Sequence, residues 1–506
     1  MTRRSLLASA ALTACGTRRQ DRPNILFVIA DDMTWPSPGA STPVFDRIAG
    51  EGVLFTRSYC ASPSCTPSRS AVLTGKHIWQ LGEAGVLYGT MPPDQTLFTH
   101  RLEDARYSVG FTGKAWAPGD WRAAGLTRHP VGKEFNTRRL DPAPHAAIDP
   151  RDYAANFEDF LAAAPAGSPW CFWFGCTEPH RVYEKGSGLR MGKKLDGVTV
   201  PPYWPDTPGI RSDLLDYQAE VEWFDSQVGR VVAALEKRSL LNNTLIVVTS
   251  DNGMPFPRAK VNLYEPGVHM PLAMRWGSRI KGGRRVEDFV SHVDFAPTLL
   301  EAAGLTPHEG MAGRSLMPLL DSAAPDPARD CVYTALERHT MCRPDGATYP
   351  IRGLRTARYQ YLRNFAPDRW PTGGPEFVSS NLTYHGDVDG CPTKDFMTAP
   401  GNQRRFAREY ELCFGKRPAE EFYDVNADPH QVRNLAADPA HHAALADHRT
   451  RLEAYLRKTG DPRIEGRDPW QAYAYRQTTG FGASFNTALP AEVREAARKR
   501  GAHKPE

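Results

Sequence analysis

Three apolar segments that end at polar side chains restrict the fold of this chain more than any other feature of its sequence. Segments 24–30, 170–176 and 244–249 are rich in branched and aromatic residues. Such continuous apolar runs are typical of strands buried on both faces of a parallel sheet. Helical patterns alternate with them, the longest over 213–238, so the sequence predicts a doubly wound, mostly parallel α/β domain.

Carboxylates and an amide follow two of these strands directly. Asp31 and Asp32 come after the first strand, and Asp251 and Asn252 come after the third. The carboxyl ends of parallel strands meet at one edge of a sheet, where open α/β sheets bind their ligands. Each residue alone is more often a cap or turn residue, but together they offer the hard oxygen ligands that calcium or magnesium prefers.

Cys65 lies where a helix is predicted to begin. Pro67 suits the first turn, and Ser64 or Thr66 can cap it. Unpaired backbone N–H groups and the helix dipole favour an anion at such a position. Arg69 shares a helix face with Cys65 if the helix reaches back that far. The segment is therefore a candidate anion site that contains a reactive residue.

Residues 65–75, CTPSRSAVLTG, resemble the signature of type I sulfatases, C-x-P-x-R-x-x-x-L-T-G. In that family the cysteine is oxidised to formylglycine before the enzyme works. One hydroxyl of the hydrated aldehyde attacks sulfur, and the other, once deprotonated, collapses back to the aldehyde and expels sulfate. The resemblance implies an alkaline-phosphatase-like fold and a formylglycine-generating enzyme that converts Cys65.

The same resemblance assigns roles to the polar strand ends. It implies a calcium ion that binds a sulfate oxygen and lowers the pKa of the attacking hydroxyl. The implied metal ligands are Asp31, Asp32, Cys65, Asp251 and Asn252. The implied catalytic residues are Cys65, Arg69, the sulfate-binding Lys114, His180 beside the leaving group, and a second cationic sulfate ligand, Lys260.

One position departs from the family pattern. The usual string G-K-x-H is G-K-A-W over 113–116, so the histidine that hydrogen-bonds the formylglycine hydroxyl is absent. We expect Trp116 to line the pocket and a more distant group, such as His100 or a water molecule, to take the proton.

Longer strings resemble the N-sulfoglucosamine sulfohydrolases, or heparan N-sulfatases, more than the arylsulfatases. They lie over 178–181, 251–264, 336–339, 364–371 and 414–418, and the whole resemblance covers roughly 22–456. It implies a sulfated glycan substrate, with the N-sulfate of glucosamine in heparan sulfate or heparin fragments as the leading candidate. The expected substrate contacts are Glu178, Arg181, Trp116, Arg258, Glu337 and His339, with Arg258 also a rival of Lys260 as sulfate ligand.

Three other functions stay open at this point. The nearest is an O-sulfatase that acts on another sulfated polysaccharide. The second is a phosphate or phosphonate ester hydrolase of the same superfamily, because some of these share the formylglycine motif. The third is a non-catalytic glycan-binding lipoprotein, which Trp116 suggests and the intact Cys65 and Arg69 oppose.

The length of 506 residues predicts one large domain and a smaller one. We assign 22–325 to the catalytic domain and 326–506 to an α+β domain with an antiparallel sheet and a wrapping tail. The reason is that the alternation of strand and helix patterns gives way to extended segments after a polar, proline-bearing stretch. Lysine and arginine number 62 against 58 aspartates and glutamates, too small an excess to predict a nucleic-acid partner.

Residues 1–21 predict export. Arg3 and Arg4 precede a short apolar run, and LTACG over 12–16 resembles a lipoprotein lipobox with Cys15 as the lipidated residue. We expect a periplasmic protein or an outer-membrane lipoprotein of a bacterium, which contacts a membrane only through Cys15; a plain cleaved signal peptide also fits. Among the nine cysteines, the candidate disulfides are Cys331 with Cys342 and Cys391 with Cys413.

Overall fold

The computed structural model describes residues 22–143, 147–277, 279–379 and 383–476. The strands are β1 Asn24–Ala30, β2 Val53–Phe55, β3 Ser58–Tyr59, β4 Ser108–Gly113, β5 Lys133–Glu134, β6 Trp170–Gly175, β7 Thr244–Ser250, β8 His269–Met270, β9 Leu272–Arg275, β10 Arg284–Val286, β11 Val290–Ser291, β12 Cys331–Leu336, β13 Ile351–Thr356, β14 Tyr359–Asn364 and β15 Glu420–Asp424. The helices are α1 Pro43–Glu51, α2 Cys65–Thr74, α3 Phe98–Asp104, α4 Tyr153–Ala163, α5 Ser187–Arg190, α6 Pro208–Lys237, α7 Glu265–Val268, α8 Phe295–Ala302, α9 Met317–Asp321, α10 Pro392–Thr398, α11 Asn402–Arg405, α12 Ala407–Phe414 and α13 His442–Lys458. The predicted lipid-anchor residue, Cys15, lies outside the described residues.

The large sheet has eight strands in the order β10-β2-β9-β7-β1-β6-β4-β5. Every neighbouring pair is parallel except the two that involve β9. Strand β1 is central and fully buried, with Leu26 and Val28 packed among residues of α1, α4 and α6. Its alternate residues Ile25 and Phe27 pack among residues of α2, α3 and α8 on the other face. The predicted doubly wound, mostly parallel sheet is therefore confirmed.

The carboxyl ends of β1, β4, β6 and β7 lie at one edge of this sheet. Ile29 pairs with Gly175 of β6 and with Thr249 of β7, and Gly113 of β4 also pairs with Gly175. The loops that follow these strands therefore emerge side by side, as the sequence predicts.

The smaller sheet is antiparallel, in the order β12-β13-β14-β15, as predicted for the C-terminal part of the chain. Tyr361 and Phe422 pack among α13 residues, which include Leu452 and Leu456. Ile351 and other residues of this sheet belong to a second cluster, which contains loop residues of the catalytic region. Because these clusters also contain Tyr59 of β3, Met270 of β8 and Ala71 of α2, the antiparallel sheet packs directly against the catalytic region. The exact domain boundary near 325 stays a prediction.

The stretch over 53–60 has the sequence pattern of one strand, but it forms two short strands in different sheets, because β2 pairs with β9 and β10, whereas β3 pairs with β8 and β11. Neither candidate disulfide forms: all eight cysteines within the described residues are free thiols. Across the same described ranges, no helix combines the length and hydrophobicity needed to cross a bilayer.

Candidate active site

Cys65 is the first residue of α2, a helix whose ten residues are all buried. Its sulfur lies 3.6 Å from Oδ1 of Asp31. The predicted side-chain cap does not form; the hydroxyl of Ser64 instead forms a 2.8 Å hydrogen bond with Nδ1 of His339. Burial raises the pKa of the Cys65 thiol well above its ordinary value, so the reactive thiolate is suppressed. An unmodified cysteine is therefore a poor nucleophile at this position.

The polar residues after β1 and β7 form one buried cluster. The backbone N–H of Asp32 donates to Oδ1 of Asp251 over 3.1 Å, and the amide of Asn252 donates to Oδ1 of Asp32 over 2.7 Å. Asp32 itself has a φ of 72°, a left-handed conformation that is costly for a residue other than glycine. The structure thus brings together all four of the oxygen-bearing side chains that the sequence predicts at these strand ends.

This cluster fits a hard divalent cation. One carboxylate oxygen each from Asp31 and Asp32 and the sulfur of Cys65 lie within 4.8 Å of one another. The side-chain oxygen of Asn252 is buried and has no hydrogen-bond partner, although buried amides normally satisfy both of their polar atoms. A buried carbonyl oxygen without a donor, next to three carboxylates, is the environment that calcium or magnesium favours.

Three cations surround the carboxylates. Arg69 donates from Nε to Asp251 over 2.8 Å and from Nη1 to the carbonyls of Lys114 and Ala115, so it ties α2 to the loop after β4. The ammonium of Lys114 lies 2.5 Å from Asp31, and that of Lys260 lies 2.8 Å from Asp32. The predicted catalytic cations are therefore assembled around the predicted metal ligands.

These charges move the pKa values of the cluster in opposite directions. Burial alone would raise the pKa of Asp31, but the positive charges of Lys114, His180 and Arg69 outweigh it and hold that pKa well below its ordinary value. Burial and the neighbouring charge of Asp31 raise the pKa of Asp251 to about 6. The pKa values of these two carboxylates thus shift in opposite directions, because the negative charge of ionised Asp31 disfavours ionisation of Asp251.

His180 borders the open side of the cluster. Its Nε2 lies 3.7 Å from Oδ2 of Asp32, and its side chain is 30% exposed, whereas Asp31 and Arg69 are almost completely buried. Its Nδ1 is 2.5 Å from the carbonyl of Arg181. Because a carbonyl can only accept, Nδ1 carries a hydrogen, and Nε2 is the nitrogen that gains or loses the mobile proton at the cluster.

Sequence reasoning missed one residue of this site, Asp389. Its carboxylate accepts a 3.1 Å hydrogen bond from Lys260 and has an oxygen within 4.8 Å of a ring nitrogen of His180. It belongs to the short string Asp387-Val388-Asp389-Gly390, which is typical of a turn. No local signal separates such a carboxylate from an ordinary turn residue, and only its spatial position reveals it.

Other predicted contacts have structural partners. Glu178 accepts from the backbone of Asp149 and from the hydroxyl of Tyr153, and so shapes the loop that carries His180. Arg181 pairs with Asp213 over 2.8 Å. The side chains of Glu178 and Arg181 thus bind other protein groups. His180, which lies between them in sequence, is the residue of this loop that reaches the carboxylate cluster.

Three more predicted residues also lie away from the carboxylates. The guanidinium of Arg258 donates to the backbone carbonyls of Leu412 and Gln431, so Lys260 rather than Arg258 is the cation at Asp32. Glu337 forms a buried ion pair with Arg352. Trp116 is 2% exposed and does not line an open pocket, because its indole is buried against α2.

The two imidazoles with expected roles differ in their placement. His339, at Ser64, is buried; burial lowers its pKa to about 4, so its ring is neutral at neutral pH. His100 forms a hydrogen bond with the carbonyl of His129, and the structure gives it no contact with Cys65 or with the carboxylates. The distant base that the sequence suggests is therefore not His100.

A family model described as sulfatase matches residues 23–305, which is more than half of the chain and contains β1, Cys65 and the loop after β7. The chain belongs to the sulfatase family. A second model, described as the C-terminal part of N-sulphoglucosamine sulphohydrolase, matches residues 258–371. The sulfatase is accordingly a hydrolase of sulfuric esters or sulfamates, and the non-catalytic alternative is set aside.

Two curated relatives resemble this sulfatase over most of its length. An ulvan-active sulfatase of Formosa agariphila is 27% identical over 87% of this chain and 76% of its own. The human N-sulphoglucosamine sulphohydrolase is 26% identical over 90% of this chain and 93% of its own. Their names differ in substrate, so they support action on a sulfated glycan without deciding which one.

Solved structures support the fold. A protein described as being in complex with its substrate D-glucosamine-2-N,6-O-disulfate superposes with a TM-score of 0.64 at 20% identity, over 88% of this chain and all of that chain. The phosphonate monoester hydrolase of Agrobacterium radiobacter superposes with a TM-score of 0.61 at 18% identity, over 91% of this chain and 99% of that chain. The fold is therefore shared by enzymes with different substrates, and only the site can discriminate among them.

Proposed function

We propose that this sulfatase removes the N-sulfate of glucosamine residues in heparan sulfate or heparin fragments, with a formylglycine at Cys65 as nucleophile and a calcium ion at the carboxylates. The observation that carries the proposal is the position of His180. Its Nε2 lies on the exposed side of the cluster, 3.7 Å from Asp32, and we expect the leaving group to depart from this side.

A proton donor at this place matters more for a sulfamate than for a sulfate ester. Cleavage of an S–N bond without a proton would release an amide anion, a far poorer leaving group than an alkoxide. General acid catalysis is typically worth ~10²–10⁴-fold in rate. His180, with Nδ1 held by a backbone carbonyl and Nε2 directed at the site, is suited to deliver that proton.

Lys114 and Lys260 are suited to hold the sulfate oxygens. Both ammonium groups touch carboxylates of the cluster and are partly or largely shielded from water, which strengthens their attraction for an anion. Burial alone would lower the pKa of Lys260, but Asp32 and Asp389 outweigh it and raise that pKa, so the side chain stays charged. Arg69 does not face the open side; it positions Asp251 and the loop that carries Lys114.

The proposed calcium ion would be held by Asp31, Asp32, Asp251 and Asn252. When bound, it supplies a positive charge that acidifies the attacking hydroxyl and neutralises charge on the sulfate. The charges of the site support a divalent ion. Its carboxylates are Asp31, Asp32, Asp251 and Asp389, and its permanent cations are Arg69, Lys114 and Lys260. A divalent cation would change the formal charge from minus one to plus one, which complements a singly charged sulfate ester or sulfamate.

The second candidate function is removal of an O-sulfate from another polysaccharide. The observation that favours it is the likeness to ulvan-active sulfatases of Formosa agariphila, which is as high as the likeness to the human N-sulphoglucosamine sulphohydrolase. A carboxylate at the entrance, such as Asp389, does not by itself exclude an O-linked leaving group.

One experiment separates the two candidates. The matured enzyme is incubated with glucosamine saccharides that carry a single sulfate at the N, 2-O, 3-O or 6-O position, and released sulfate is measured. We expect the N-sulfated compound to give the highest kcat/KM. Turnover confined to O-sulfated compounds would reject the N-sulfatase proposal and favour the second candidate.

We also propose export of the protein and lipidation at Cys15, supported by Arg3, Arg4 and the string LTACG over 12–16. Metabolic labelling with a radioactive fatty acid tests it: the wild-type chain should incorporate label, and a Cys15→Ala chain should not. Equal labelling of the two chains would contradict lipidation at this residue.

A further inference from the structure

Asp389 is a carboxylate at the mouth of a site built to bind an anion. Its side chain is 24% exposed, close to the 30% of His180, whereas the carboxylates deeper in the site are shielded from water. One oxygen accepts from Lys260, and the other accepts no hydrogen bond from any residue within the described ranges. A negative charge here repels sulfate, so beyond its contact with Lys260 it suits a cationic part of the substrate.

The position of Asp389 relative to His180 identifies that part. An oxygen of Asp389 and a ring nitrogen of His180 lie within 4.8 Å of each other, so both groups border the same small space. Asp32 borders this space as well, but Lys260 and the amide of Asn252 already donate to its carboxylate, and its side chain is fully buried, so Asp389 is the carboxylate that faces the opening. The atom that His180 protonates as the sulfate departs is therefore also the atom nearest to Asp389.

We propose that Asp389 selects a nitrogen leaving group over an oxygen leaving group by pairing with the ammonium ion that forms there. This inference rests on the proposed function and deepens it. It assigns the preference for sulfamates to a residue of the C-terminal region, which neither the sequence pattern nor the family signature around Cys65 contains.

The chemistry of the two leaving groups explains the selection. When the S–N bond breaks, its electron pair stays on nitrogen, and the SO₃ group passes to the nucleophilic oxygen at position 65, whose proton leaves to water. Nitrogen takes one proton from His180 to become an amine and a second from solvent to become an ammonium ion. An alcohol released from a sulfate ester takes one proton and stays neutral. A carboxylate thus stabilises the first product by charge and the second by one hydrogen bond at most.

Direct binding tests this without any need for turnover. The unmodified protein, with Cys65 as the thiol, is titrated with D-glucosamine and with D-glucose at neutral pH, and dissociation constants are measured by ligand-observed NMR. We expect wild type to bind glucosamine more tightly than glucose, and Asp389→Asn to lose about tenfold or more of that preference, as for other hydrogen bonds to charged groups. An unchanged preference in Asp389→Asn would overturn the proposal.

Asp387→Asn is the matched control. Asp387 lies two residues earlier, but its carboxylate is buried against Thr340 and pairs with Arg343 over 2.9 Å. A change that acts only by loosening this segment should appear equally in Asp387→Asn and Asp389→Asn. We expect Asp387→Asn to be less stable to heat and yet to keep its preference for the amine.

Kinetics of the matured enzyme separate failure of this inference from failure of the proposed function. Asp389→Asn should lower kcat/KM for N-sulfated glucosamine at least tenfold more than for the 6-O-sulfated compound. Equal losses on both substrates, with wild type active on the sulfamate, would overturn the role of Asp389 alone. A wild type that cannot hydrolyse the sulfamate would overturn both.

Discussion

The indole N–H of Trp116 donates a 2.8 Å hydrogen bond to the hydroxyl of Ser70, one turn into α2 from Cys65. The ring is 2% exposed and packs tightly against Gly119, where a Cβ would lie 2.4 Å from it. At the position where related sulfatases carry a histidine, this chain therefore has a packing residue. Trp116 supports the helix that carries Cys65 and is not placed to exchange protons with that residue.

Trp116→Phe should consequently act on stability more than on chemistry. We expect the free energy of unfolding, measured in urea, to fall by about 1–3 kcal/mol, because a hydrogen bond and part of a ring are lost from a buried site. The kcat for an aryl sulfate should change by less than about tenfold. Trp121→Phe, on a half-buried ring, serves as the control and should cost less stability. A large loss of kcat at unchanged stability would place Trp116 in the catalytic machinery.

Cys65 should be detectable as formylglycine after coexpression with a formylglycine-generating enzyme. Mass spectrometry of the peptide that contains α2 should show the loss of mass expected for conversion of a thiol to an aldehyde. Cys65→Ser should lose nearly all turnover but keep substrate binding, because the nucleophile acts in the transition state. Cys60→Ala, a buried thiol nearby, should keep activity. Full activity of a protein in which Cys65 is entirely unmodified would contradict this role.

Calcium should stabilise the folded protein as well as activate it. A ligand at a hundred times its dissociation constant adds about 2.7 kcal/mol to the free energy of unfolding, so the melting temperature should rise when calcium is added after chelation. Asn252→Ala should reduce this rise, whereas Asn156→Ala, in α4, should keep it. Zinc should restore less activity than calcium to the matured enzyme, because the proposed side-chain ligands are oxygens. A melting temperature insensitive to calcium would argue against the site.

His180→Ala should affect substrates according to their leaving groups. The rate on N-sulfated glucosamine should fall by ~10²–10⁴-fold, because the amine cannot leave without a proton. An activated aryl sulfate, whose phenolate departs unaided, should lose much less. If both substrates lose activity equally, His180 positions the sulfate and is not the acid. Addition of imidazole, which can supply the missing proton, should partly rescue the variant on the sulfamate only.

Glu265 should make stability depend on pH at the junction between α7 and the antiparallel sheet. Its carboxylate accepts from Arg355 of β13 over 2.8 Å. Burial alone would raise the pKa of Glu265, but Arg355 and His269 outweigh it and lower that pKa from 4.5 to about 2. Because the folded-state pKa is the lower one, this stabilisation is complete above pH 4.5 and is lost as the pH falls towards 2.

Glu265→Gln should therefore lower the free energy of unfolding by on the order of 3 kcal/mol at neutral pH. Its difference from wild type should shrink as the pH falls through that window, in urea titrations at a series of pH values. Glu158→Gln, which removes an exposed partner of Arg238, should cost less than about 1 kcal/mol. A difference that stays constant down to low pH would mean that the carboxylate charge is not what holds this junction.

Much of the site was predictable because its signals are local. The strands β1 and β7 are recognisable in the sequence as apolar runs. Because the two strands are parallel, the polar residues directly after them lie at the same edge of the sheet. The position of Cys65 at the start of α2 follows from the residues around Pro67 in the same way. In each case the residues that decide the outcome are neighbours in the chain.

The choice between Lys260 and Arg258 was not predictable. Both lie in the loop after β7, two residues apart, and both carry a positive charge. Arg258 and Val261 have φ values of 67° and 66°, so the backbone of this loop is left-handed at two positions around Lys260, and the two cationic side chains reach different neighbours. Lys260 meets Asp32, whereas Arg258 meets backbone carbonyls of the C-terminal region. Such reversals leave no periodic pattern in the sequence.

By itself, the sequence determined the α/β class, the sulfatase family and the carboxylates, cysteine and cations of the anion site, because short-range periodicity and one short motif encode them. Only the tertiary structure decided that Asp389 joins the site, that Trp116 is a packing residue and that Glu337 is bound inside an ion pair. Asp389 lies 129 positions along the chain from Lys260, which it contacts. Contacts over such separations arise from the packing of loops that are distant in the chain, which no local stretch of sequence specifies.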